Sequence, residues 1–131
     1  MYLQHFGLRC YPFANDIPTD DMYVSASMAE LHTRLGHLVD LRGVGLVSGD
    51  CGAGKSAACR KMVAGLHSGL YKAVYVPLST GNPMDLYKTI AWELGLPTER
   101  SRAALYKQIR CEVSRLCIDA HVAPILVVDK C

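Results

Sequence analysis

The sequence predicts an α/β fold, a parallel β-sheet with helices on both faces, and three observations predict it. Short runs that are apolar almost throughout, residues 44–48, 72–78 and 124–128, alternate with longer segments of helical period. The first run leads directly into Gly49-Asp50-Cys51-Gly52-Ala53-Gly54-Lys55-Ser56, which reads G-x-x-x-x-G-K-S. The last run ends in Asp129, at the carboxyl end of a strand, where open α/β sheets bind their ligands.

Taken in order, residues 1–25 are aromatic and punctuated, with Phe6-Gly7-Leu8, Tyr11-Pro12-Phe13 and Ile17-Pro18 separated by the Asn15-Asp16 turn signal. This predicts an extended arm, apolar enough to pack on the domain formed by residues 26–131. Ser25 or Ser27 caps a first helix whose Met28, Leu31, Leu35, Leu38 and Leu41 recur at spacings of three and four. Gly43, after Arg42, supplies its glycine stop. A strand at 44–48 and a helix-compatible segment at 57–70 then flank the glycine-rich loop, with Met62, Val63 and Leu66 facing the sheet.

A second strand follows at 72–78. Asn82-Pro83 reads as an N-cap with proline in the first turn, and Asp85 suits the positive end of the helix dipole. That helix carries Leu86, Ile90 and Leu94 inward and stops at Gly95. Thr98 or Ser101 opens a last helix to about Ala120, with Leu105, Ile109, Val113 and Leu116 inward. Its other side shows Arg102, Lys107, Arg110 and Arg115, a solvated face or a surface for DNA.

Composition bounds the function. A chain of 131 residues, 50% hydrophobic and 20% charged, buries a core as one globular domain. No apolar run approaches the roughly 18 residues that span a bilayer, and the N-terminus lacks a signal-peptide pattern, so the expected compartment is cytoplasmic. A net charge of +2 permits contact with nucleic acid without arguing for it. The six cysteines, Cys10, Cys51, Cys59, Cys111, Cys117 and Cys131, form no C-x-x-C pair and read as reduced, mostly buried small hydrophobes. Cys51 stands apart, because a thiol near a helix N-terminus and a lysine can become reactive; filling a tolerant position is the simpler account.

The loop at 49–56 carries the chemistry. Glycines at 49, 52 and 54 let the backbone turn tightly and leave room for a phosphate. Loop and first-turn amides then form a nest of donors for anionic oxygens. Lys55 adds a charge for the terminal phosphates, and the Ser56 hydroxyl is a ligand for Mg²⁺. The cofactor-binding set is therefore Gly49, Asp50, Cys51, Gly52, Ala53, Gly54, Lys55 and Ser56. Asp129 reads as the Walker B acid that holds the same Mg²⁺, so Ser56 and Asp129 are the metal set and ATP with Mg²⁺ the cofactors.

With these motifs placed, the chain resembles the AAA+ ATPases. Within them it is similar to the group containing general secretion pathway protein A and the transposase-associated ATP-binding proteins (TniB-, IstB- and Mu B-like). The resemblance rests on Phe6-Gly7-Leu8 with Pro12-Phe13, on Tyr23-Val24-Ser25, on Leu46-Val47-Ser48-Gly49-Asp50 running into Gly52-Ala53-Gly54-Lys55-Ser56, and on Leu126-Val127-Val128-Asp129. The run Ser79-Thr80-Gly81-Asn82-Pro83-Met84-Asp85 looks closer to the transposon-associated members. The resemblance implies a three-layer P-loop NTPase sheet, ATP binding, a transposase and DNA as partners, and homo-oligomers in full-length relatives. The alternatives are a secretion-pathway ATPase and a non-hydrolysing module that contacts DNA or a transposase.

The departures bear on turnover. The family follows its Walker B Asp with a Glu that polarises the attacking water, and here Lys130 stands there, so no catalytic residue is assigned. The resemblance covers only the first half or so of such a domain, without sensor strand, arginine finger or lid. The expectation is a chain truncated just after Walker B, incomplete at its C-terminus, weak or inactive as an ATPase and marginal in stability. A small-molecule kinase shares the loop but finds no lid or acceptor motif here.

Overall fold

In the computed structural model, which describes residues 2–14, 17–77 and 81–130, the chain forms two compact units, Met1–Ala64 and Gly65–Cys131. The turn expected at Asn15 and Asp16, the strand end at Leu78, the loop residues Ser79 and Thr80, and Cys131 lie outside the described residues.

The first unit is helical. The N-terminal segment carries a single helical turn, α1 (Tyr2–His5), and a 3-10 turn at Thr19–Asp21. Phe6, Phe13 and Tyr23 are exposed, while Tyr2 and Tyr11 meet edge to face at 5.8 Å. Helix α2 (Ala26–Asp40) starts at Ser25, whose side chain accepts a hydrogen bond from the Met28 amide at 3.2 Å. Leu35 of its apolar stripe is buried, Met28, Leu31 and Leu38 are half-buried, and Leu41 lies exposed beyond the helix end. Helix α3 (Lys55–Ala64) packs on α2 and buries Ala58 and Met62. It ends at Ala64, short of the expected 57–70, so Leu66 falls outside it; Gly65 follows, and glycine is a poor helix residue.

The stop of α2 differs from expectation in an informative way. Arg42, not Gly43, takes the left-handed conformation, at φ 52°. The Arg42 amide donates to the Val39 carbonyl and the Gly43 amide to the Leu38 carbonyl, each at 3.1 Å, which is the Schellman pattern. Gly43 has another task. A Cβ there would lie 2.9 Å from Leu38 Cδ1, and one at Gly45 would lie 2.5 Å from Leu38 Cδ2. Leu38 therefore seats against bare backbone on both glycines.

No strand forms at 44–48, a correction to the predicted sheet. The cause is physical: a strand needs a neighbour to satisfy its amides and carbonyls, and the first unit contains no other strand among the described residues. Val44 and Leu46 are consequently 101% and 93% exposed.

The second unit holds the sheet. Strands β1 (Tyr71–Pro77) and β2 (Ala123–Asp129) pair in parallel, with Tyr71 opposite Ala123 and Pro77 opposite Asp129. Between them in sequence run α4 (Pro83–Glu93) and α5 (Arg102–Ile118), which pack on each other, α4 also on β1 and α5 on β2. Asn82 caps α4 by accepting from the Met84 amide at 3.0 Å, and Gly95 closes it at φ 74°. Ser101 caps α5. The core is Val74, Val76, Ala91, Leu105 and Leu116. Leu86, Ile90, Leu94, Ile109 and Val113 are half-buried. Leu126 and Val128 of β2 stay half-exposed, where full burial was expected, because among the described residues no strand lies beyond β2.

Candidate functional site

In the first unit the loop at 49–56 turns on two glycines. Gly52 and Gly54 have φ of 81° and 86°, a region that any side chain enters only with strain. The Ala53 amide donates to the Asp50 carbonyl at 3.2 Å, which closes the turn. Helix α3 then starts at Lys55, and the Ala58 amide takes up its first rung by donating to the Gly54 carbonyl at 2.9 Å. Amides of the preceding turn have no acceptor within the helix and carry the positive end of its dipole. Gly49, Asp50, Cys51, Gly52, Ala53 and Ser56 are exposed, and Gly54 and Lys55 are half-buried. The expected loop geometry at an α-helix N-terminus is thus present without the expected strand before it.

Lys55 folds back over its own loop. Its ammonium donates to the carbonyls of Gly49 at 2.7 Å and Asp50 at 2.6 Å. An ammonium has three donors, so two are engaged by the loop and one remains for another acceptor. The side chain thus joins the two ends of the turn and keeps its charge at the loop.

A groove of about 330 Å³ lies between α2 and α3, with Met28, His32, Ala58 and Lys61 among its lining, and it takes in none of the loop residues. The thiols of Cys10, Cys51, Cys111 and Cys117 are unpaired and exposed and Cys59 is half-buried, where mostly buried cysteines were expected. Those on α5 sit on its outer side, since Leu105 and Leu116 occupy the buried side.

In the second unit Asp129 ends β2, half-buried, and the Tyr75 hydroxyl on β1 donates to its Oδ2. Lys130, the next residue, is exposed. Sequence reasoning missed Tyr75; the signal was a phenol among the apolar residues 73–77 of β1. On α5, Arg102, Lys107 and Arg110 are exposed, whereas Arg115 turns to Glu112, its Nε at 3.0 Å and its second nitrogen at 2.5 Å. The hydrogen bond from Arg115 holds the Glu112 carboxyl below the ordinary carboxylate range against the opposing effect of burial, and the charges of Arg115 and Lys72 add to the lowering. The same bond raises Arg115.

Ser56 and Asp129 are the residues expected to bind a metal. The Ser56 hydroxyl and the Asp129 carboxylate are hard oxygen donors, the chemistry Mg²⁺ takes when phosphates and water complete its shell. Among the described residues no group of three or more His, Cys, Asp or Glu could hold a metal unaided. The loop belongs to the first unit and Asp129 to the second.

Compared with known proteins, the family model described as AAA domain matches residues 39–131. No curated protein and no solved structure matches the chain. Among the described residues no helix is long and apolar enough to cross a membrane.

Proposed function

The chain belongs to the AAA domain family, a family of nucleotide-binding P-loop ATPases, and from that premise we propose that it binds Mg-ATP and hydrolyses it slowly. The observation that carries this reading is the loop at the start of α3, with Gly52 and Gly54 left-handed and the Lys55 ammonium held across it. The amides of Gly52, Gly54, Lys55 and Ser56 receive phosphate oxygens, and residues 49–53 frame them. Lys55 exchanges a loop carbonyl for the β- or γ-phosphate, a stronger, charge-assisted partner. Ser56 in the first unit and Asp129 in the second are each oxygen donors of the kind Mg²⁺ takes, and the metal would supply positive charge to offset that developing on the phosphates.

Slow turnover follows from Lys130. A water attacking the γ-phosphate is oriented by a base, and Lys130 next to Asp129 does not supply the carboxylate that a glutamate there would. Lys130→Glu is expected to raise ATP turnover at least tenfold. Turnover in the unsubstituted chain equal to that of the Lys130→Glu chain would remove this part of the reading.

Calorimetry tests the binding itself. Mg-ATP is expected to bind, and Lys55→Ala to abolish or strongly weaken the binding. Affinity indifferent to that change would overturn the proposal. The finer role, a transposition-associated ATPase acting with a transposase on DNA, is supported by the resemblance of residues 79–85 and of the aromatic N-terminal segment. The exposed Arg102, Lys107 and Arg110 on α5 favour one further reading, a DNA-contacting module. Salt-dependent DNA binding that survives Lys55→Ala would support it.

A further inference from the structure

Helix α5 buries Leu105 and Leu116 within the second unit and leaves Arg102, Tyr106, Lys107, Arg110 and Ser114 exposed. Positions four apart on a helix share a face, so Arg102, Tyr106 and Arg110 stand in one line, about 12 Å from end to end. Among the described residues, Arg102, Lys107 and Arg110 make no ion pair. The acids nearest them in sequence are engaged elsewhere: Glu99 accepts from Gln108 Nε2 at 3.3 Å, and Glu112 is held by Arg115. Beyond Arg110 the surface dips into a hollow of about 370 Å³, with Ser114, Arg115, Ile118 and Asp119 among its lining.

A solvated helix face accounts for the cations but not for the ring between them. Tyr106 is 54% exposed, and among the described residues it stacks on no other aromatic side chain.

We propose that this side of α5 binds single-stranded DNA: Tyr106 stacks on a base, while Arg102, Lys107 and Arg110 take the phosphates around it. The inference deepens the DNA-contacting reading given above and rests on it. Phosphate contacts alone do not separate a single strand from a duplex, since both present the same anions. The ring does. In a duplex the base faces stack on one another, closed to a side chain lying on the surface, whereas a single strand offers them to an aromatic platform. Every base has such a face, so the contact tolerates any sequence. The hollow past Arg110 has room for a further base, with Ile118 as an apolar wall and the Ser114 hydroxyl as a hydrogen-bonding group. Asp119 also lines it, so it suits an uncharged base better than a phosphate.

The test uses the full chain without nucleotide. Fluorescence anisotropy is read with labelled oligo-dT of roughly 20 nucleotides, longer than the ~4–16 that one such site covers, and with a duplex of equal length. Oligo-dT is expected to bind about fivefold more tightly than the duplex. Tyr106→Ala should cut oligo-dT affinity about tenfold and leave duplex affinity within about twofold. Tyr106→Phe, which keeps the ring, should bind oligo-dT within about twofold of the unsubstituted chain. Arg102→Gln combined with Arg110→Gln should weaken binding to both and lower the oligo-dT slope of log affinity on log salt by about 1.4. Thermal melting checks that each variant is folded, and Tyr106→Gln stands in if the alanine chain is not.

Duplex binding as tight as oligo-dT binding overturns the proposal and leaves the DNA reading in place. So does unchanged oligo-dT affinity in folded Tyr106→Ala, or a loss as large in Tyr106→Phe. Tighter binding to oligo-rU than to oligo-dT would assign the face to RNA and overturn it as well. If the unsubstituted chain binds neither form of DNA, the DNA reading fails and this inference falls with it.

Discussion

The Lys55 ammonium lies 2.7 Å from the carbonyl oxygen of Gly49, six residues before it, and so clasps the loop that it terminates. The same group is the charge proposed to meet a triphosphate. Lys55→Ala removes both the clasp and the charge, whereas Lys55→Arg keeps the charge on a planar, less compact head. Calorimetry is expected to show at least a tenfold loss of Mg-ATP affinity for Lys55→Ala and a smaller loss for Lys55→Arg. Equal losses would assign the effect to geometry instead of charge.

Arg42 is held at φ 52°, where a Cβ crowds the following carbonyl. Arg42→Gly relieves this and keeps the hydrogen bonds that end α2. Some of the gain is offset by the greater freedom of glycine in the unfolded chain. The expected net effect is a stabilisation of about 0.5–1 kcal/mol, read from urea unfolding. Unchanged or reduced stability would show that the Arg42 side chain makes a compensating contribution.

Leu105 of α5 is 0% exposed. Leu105→Ala leaves a cavity in the second unit that its small core cannot refill, at an expected cost of about 2–4 kcal/mol. Hydrogen exchange should locate the loss in α4, α5, β1 and β2. Protection lost equally in α2 and α3 would show that the two units unfold as one.

Glu112 titrates below its ordinary range because Arg115 hydrogen-bonds to its charged form. A carboxyl whose pKa is depressed on folding stabilises the fold fully above its unfolded value, near 4.3 for a glutamate. That contribution fades as the pH falls through the lower folded value. Thermal melts of the unsubstituted chain and Glu112→Gln should therefore differ at pH 7 and converge in acid. Salt should shrink the difference at pH 7, since the Arg115 head is exposed. A difference that persists in acid would show that packing, not charge, accounts for it.

Much of the second unit was legible because its signals are local. Asn82, Pro83 and Gly95 mark the ends of α4, and the apolar runs of β1 and β2 sit where expected. Ser25 likewise marks the start of α2. The run at 44–48 also reads as a short strand, yet its fate depends on having a partner, which no local pattern encodes. The stop of α2 was misplaced by one residue because two demands compete there. Gly43 makes room for Leu38, and the left-handed position falls to Arg42. Within the candidate site, the loop glycines and Lys55 follow a spaced motif, but Tyr75 does not. Its contact with Asp129 joins residues 54 apart and exists only through strand register.

The bare run from Val44 to Ser48 also shapes how a ligand would be received. On its far side the glycine-rich loop is continuous with a hydrogen-bonded helix, while its near side is tethered by the Lys55 side chain and by two glycines that cradle Leu38. Seating a phosphate on the loop amides would cost the conformational entropy of ordering them. Nucleotide should then register less as a change of shape than as a quieting of amides at 44–50, visible as slowed deuterium uptake before any difference in secondary structure appears.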